Sequence, residues 1–77
     1  MTQIFFHYST AREFVVDHRG MQVEGLLDAR EEASRAIHAL IGAPNQEDWR
    51  SWVLHASDEL GEELFAMPFA SVLGKPH

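Results

Sequence analysis

Cysteine is absent from the 77 residues, which excludes a disulfide framework, a thiolate nucleophile and a cysteine-ligated zinc. Basic residues are scarce: six Lys and Arg stand against twelve Asp and Glu, for a formal charge of -6. That sign repels a phosphate backbone, and Arg12, Arg19, Arg30, Arg35, Arg50 and Lys75 form neither a run nor a helical stripe, so nucleic acid is not an expected partner. No stretch approaches the roughly 18 apolar residues of a membrane span, and MTQIFFHY has neither the basic start nor the long apolar run of a signal peptide. No membrane association is expected, and the cytoplasm is the default compartment. The five glycines are isolated and none lies in a Gly-rich loop before a helix, so no phosphate cradle is present.

What the chain has is apolar content. The apolar fraction of 45%, with five Phe and two Trp, is that of a folded protein. Residues 1–77 are read as one small domain, with 75–77 as a flexible tail. A chain this short buries only about 60% of its unfolded surface, so packing or self-association must reinforce it.

The periodicity changes along the chain. QIFFHY at 3–8 and EFVVD at 13–17 alternate as strands and form a hairpin, and DHRG at 17–20 has the Asp and Gly spacing of a turn. From Leu26 to Ile41 the apolar residues Leu26, Ala29, Ala33, Ala36, Ile37, Leu40 and Ile41 recur at helical steps. Gly25 opens this helix, Glu31 and Arg35 form an i,i+4 pair on it, and Gly42 with Pro44 ends it. After the polar loop APNQED at 43–48, WRSWVLHAS at 49–57 and ELFAMPF at 63–69 alternate again, separated by a second turn, DELG at 58–61. ASVLG adds one helical turn.

The fold class is α+β: a four-stranded antiparallel sheet in the order strand, strand, helix, strand, strand, with one main helix on one face. A right-handed crossover makes the first strand central, with sheet order 2-1-3-4. The predicted core is Phe6, Phe14, Ala33, Ile37, Leu40, Trp52, Leu54 and Phe65. QIFFHY is apolar on both sides. Phe5, with Val15 and Val53, therefore forms a patch on the face away from the helix, either joined to a second copy or covered by Val72 and Leu73. Trp49, at the loop end, is a candidate partner anchor.

FFH near the N-terminus, DHRG, DAREEASRAI, Trp52, DELG and PFASVLG, in that order, resemble a family of very short, mostly proteobacterial proteins catalogued only as a domain of unknown function. The resemblance spans about residues 3–74 and implies a small α+β domain; it brings no catalytic residue, cofactor or partner. A looser likeness, of REEASRAI after a hairpin, is to antitoxin-like domains that bind a basic protein.

Candidate chemistry is sparse. His7, His18, His38, His55 and His77 are scattered without HExxH or H-x-H spacing. Only His7 and His55 are expected to meet, as a cross-strand pair on the far face, where packing outweighs metal binding. The hydroxyls Ser9, Thr10, Ser34, Ser51, Ser57 and Ser71 lie in no recognisable nucleophile context, and no catalytic residue is assigned. No cofactor is implied. The leading expectation is a non-enzymatic protein-interaction or regulatory module that forms a homodimer through Phe5, Val15, Val53 and Trp49. The competing one is a small-ligand or metal-binding protein, or a minor enzyme, centred on His7 and His55.

Overall fold

A computed structural model describes residues 2–42 and 48–73 of the protein. Most of the 43–48 loop and the 75–77 tail lie outside the described residues. The elements are β1 (Thr2–Ser9), β2 (Phe14–Val15), β3 (Met21–Val23), α1 (Leu26–Gly42), a 3-10 turn (Trp49–Ser51), β4 (Val53–Ser57), β5 (Glu63–Pro68) and α2 (Phe69–Leu73). The sheet is antiparallel in the order β2-β1-β4-β5, with β3 also on β1. The protein is therefore an α+β domain with its first strand inside the sheet.

The core lies between α1 and one face of the sheet. Ala29, Ala33 and Ile37 recur at four-residue steps on α1 and are buried against Ile4, Phe6, Val23, Leu54, Ala56 and Phe65. Alanines on the helix let its backbone lie close to a sheet whose side chains are large. Leu40 and Trp52 are half-buried against this core, and Phe69 of α2 is fully buried. The Gly25 carbonyl accepts the first helical bond, from Ala29, and the Asp28 carboxylate accepts the Glu24 N–H at 2.9 Å. Arg35 pairs with Glu32 at 2.7 Å, not with the Glu31 that simple i,i+4 spacing selects. Both α-helices pack on the same side, Val72 with them, so Val72 does not cover the far face. The molecule is a thin two-layer slab of 34 × 30 × 19 Å.

Three local expectations are corrected. The segment expected as one strand over 49–57 begins as a 3-10 turn, capped by Asp48, whose Oδ1 accepts from the Arg50 N–H. The second strand is only two residues long, and its phase is the reverse of that predicted. Thr10 Oγ1 accepts the N–H groups of Arg12 and Glu13, and Thr10 N–H donates to the Glu13 carbonyl, closing a four-residue turn over 10–13. That turn sets Phe14 opposite Ser9 and Val15 opposite Tyr8. Phe14 therefore leaves the core for the far face, where it is 55% exposed, and Val15 moves to the helix side.

The third correction is β3, which continues the same edge. Tyr8 faces Val15 and Ile4 faces Met21, so four steps along β1 match six along the edge. The two extra residues loop out around Asp17. Its carboxylate fills the break in the ladder: Oδ2 accepts from Phe6 and Gly20 N–H groups at 3.2 Å, and Oδ1 from Arg19 at 2.9 Å. Gly20 takes φ +71°, where an added Cβ would come within 2.9 Å of the Ile4 carbonyl and 2.8 Å of the Phe5 ring.

Candidate functional site

The helix-free face carries a compact set of polar and aromatic side chains. Strand register puts His7 directly opposite His55, Phe5 opposite Ser57 and Ser9 opposite Val53. The two histidines do not bond each other. Each reaches diagonally across the strands to a serine: His7 Nε2 is 2.9 Å from Ser57 Oγ, and His55 Nε2 is 2.8 Å from Ser9 Oγ.

Their remaining nitrogens differ in kind. His7 Nδ1 receives the backbone N–H of Asp17 at 2.9 Å. A backbone N–H can only donate, so Nδ1 must accept, and the ring proton sits on Nε2, which donates to Ser57. His55 Nδ1 is 2.7 Å from Glu63 Oε1. An ionised carboxylate can only accept, so Nδ1 carries a proton, and in the neutral ring Nε2 then accepts the hydroxyl of Ser9. The two rings hold opposite tautomers.

Aromatic rings frame the pair. Phe14 folds across β1, with its centroid 5.8 Å from that of His7 and 5.6 Å from that of His55. Phe5 stacks parallel to His7 at 6.5 Å. Ser57 is buried, at 4% exposure; the His55 side chain is 22% exposed and that of Glu63 54%. Burial works against ionisation of Asp17, yet the N–H groups of Arg19, Phe6 and Gly20, with the nearby His7, outweigh it and hold its carboxyl below the usual range. On the opposite face, burial and then the Asp17 charge push the Tyr8 phenol up.

Among the predicted interface residues, Phe5 and Val53 do share this face. Val15 does not, for the reason of register given above, and Phe14 takes its place. Trp49 is no free anchor: it packs on the core, stacked on Phe69 at 5.6 Å and edge-on to Trp52 at 4.7 Å. The predicted metal candidates His7 and His55 stand opposite each other, but among the described residues no three His, Asp or Glu side chains converge as ligands. A surface hollow of about 430 Å³, lined by residues that include Phe6, Asp17, Arg19 and Arg35, is lined by neither histidine.

Sequence reasoning named Ser9 only among hydroxyls without a nucleophile context and did not single out Glu63. Ser9 gave no local signal, because its partner lies 46 residues away. Glu63 reaches the face through an irregularity of the β4–β5 ladder between Ala56 and Ser57, which sets Glu63 opposite Ser57 while Phe65 stays opposite Ala56. The DELG turn, which brings these strands together, was the one available hint. There Asp58 Oδ1 accepts from Leu60 and Glu62, and Gly61 takes φ +84°.

Among the described residues, no helix is long and apolar enough to cross a membrane. No curated protein and no solved structure matches the chain. Residues 3–70 do match a family, and by that match over nearly its whole length this chain belongs to the family described as "Domain of unknown function (DUF6894)".

Proposed function

We propose that this protein is a protein-interaction module that works by self-association through the helix-free face of its sheet. The observation that carries this reading is Phe14, a large ring 55% exposed at the middle of a sheet face that no described helix covers. Phe5 and Val53 extend the apolar surface around it.

Size and charge favour a second copy as the occupant. The slab's broad side measures 34 × 30 Å, room for the roughly 800 Å² per partner of a standard interface. The net charge of -6 would oppose association, but its carriers lie mainly elsewhere: Asp28, Glu31 and Glu32 on α1, and Asp58, Glu59 and Glu62 at the hairpin turn. Among the residues that strand register places on this face, Glu63 is the sole carboxylate, and His55 partners it. A two-fold axis would set the patch against its own copy.

The test is sedimentation equilibrium over a wide concentration range. Wild-type protein dimerises, and Phe14→Glu, which places like charges across the two-fold, sediments as a folded monomer. Because Phe14 is exposed, this change leaves the far-UV circular dichroism and melting temperature nearly unaltered. A wild type that stays monomeric at millimolar concentration removes the proposal, as does a dimer indifferent to Phe14→Glu.

A further inference from the structure

Ser9, His55 and Glu63 stand in the order of an activated nucleophile. We infer that they form an acyl-transfer site, with Ser9 as nucleophile, His55 as general base and Glu63 as the positioning carboxylate, acting on activated esters with an apolar or aromatic portion.

The inference rests on three linked features. Ser9 Oγ lies 2.8 Å from His55 Nε2, within proton-transfer reach. Glu63 Oε1, 2.7 Å from Nδ1, holds the ring proton there and so leaves Nε2 free to act as a base. The site is reachable: Ser9 and His55 are only partly buried, beside the exposed ring of Phe14 and the half-buried Val53, which offer an apolar seat to an acyl or aryl group. The second histidine shows that this is not what any His–Ser contact on the face provides. His7 has its proton on the nitrogen facing Ser57 and cannot accept from it.

The chemistry balances without a further reagent. Ser9 Oγ attacks the ester carbonyl carbon as its proton passes to His55 Nε2. The bond from that carbon to the alcohol oxygen then breaks, and the alcohol leaves with the proton. Water attacks the acyl-Ser9 ester in turn, giving its proton to His55, and the acid departs as the Ser9 hydroxyl is restored.

The same geometry sets the substrate class. Oxyanion stabilisation is commonly the largest contribution to acyl transfer, and removing one donor costs about 10²–10³ in rate. The nearest following amide, Thr10 N–H, is engaged with the Glu13 carbonyl at 2.9 Å. Catalysis here depends on the base rather than on an oxyanion hole, which restricts it to substrates with good leaving groups, such as aryl esters.

The deciding experiment is labelling with an alkyl fluorophosphonate, in which Ser9 Oγ displaces fluoride from phosphorus and its proton passes to His55. The full chain is used at a concentration where it sediments as a monomer, so the result reads the relay whether or not the face self-associates. Intact-mass and peptide mapping should place one adduct on Ser9, with the exposed Ser51 and Ser71 unlabelled. Ser9→Ala should abolish it, and His55→Gln should slow it about 100-fold or more. Glu63→Gln should slow it, and Glu63→Asp, which keeps a carboxylate, should recover part of the rate. A purely structural Glu63 would leave the labelling rate of the folded variants unchanged. No adduct on Ser9 in a natively folded wild type, or labelling unaffected by His55→Gln, overturns the inference.

Discussion

Two His–Ser pairs lie side by side on one sheet face, built from the same residue types at mirrored register, yet they do opposite things. The His7–Ser57 pair is tied inward. Its free nitrogen takes a backbone N–H from the Asp17 loop, and its serine is buried. It helps hold a broken edge strand to β1. The His55–Ser9 pair is tied outward, to a half-exposed carboxylate, and its serine hydroxyl is a donor. One pair is a structural clasp and the other is a poised base. The partner of the distant nitrogen decides which, because it selects the tautomer.

The clasp can be broken hardest at Gly20. Gly20→Ala forces a side chain into φ +71° and within 2.9 Å of the Ile4 carbonyl, so it should cost about 3 kcal/mol or more, a large share of the total for so small a domain. Gly61→Ala, at φ +84° with open space around it, should cost only about 1 kcal/mol. Urea unfolding of the two variants measures the difference. Equal losses would mean that the Asp17 loop does not close on β1 as described.

Next in size is His7. His7→Leu strands the Asp17 N–H and the buried Ser57 hydroxyl and should cost about 2–4 kcal/mol. His7→Asn keeps an acceptor near the Nδ1 position and should recover part of that loss. His55→Leu frees groups that water can reach and should cost under about 1 kcal/mol. Denaturation of the three variants sharpens the comparison directly, since the stability order reverses the order expected for Ser9 labelling.

Acid supplies a smaller and more selective lever. Asp17's carboxyl is held below its ordinary range in the folded protein, so its contribution to stability is complete above the unfolded value of about 3.9. That contribution fades as pH falls through the lower folded value. The stability gap between wild type and Asp17→Asn should therefore be constant from pH 7 to about 5 and narrow below about 4. Unfolding curves at stepped pH would contradict this if the gap held constant to pH 2.

Much of the architecture was legible in the chain because it rests on local period and local turn chemistry. The three-and-four spacing of Ala29, Ala33 and Ile37 settles the helix and its buried face. Alternation in β1 and β4 settles Phe6 and Leu54 as core, and both Asp–x–x–Gly segments turn as their composition requires. The apolar double face of QIFFHY likewise indicates an inner strand with an open far side.

The rest was settled only by tertiary pairing. Phe14 changed faces because the Thr10 turn sets the register of a two-residue strand, and a one-residue shift inverts every side chain. Glu63 meets His55 through an irregularity in a ladder whose residues read, locally, as plain alternation. The tautomers of His7 and His55 depend on partners 10 and 8 residues away and on serines 50 and 46 away. Composition and period specify which segments are strands and which side of the helix is greasy, because those properties belong to neighbouring residues. Which histidine clasps and which can act as a base depends on hydrogen-bond partners that only the folded register brings within 3 Å.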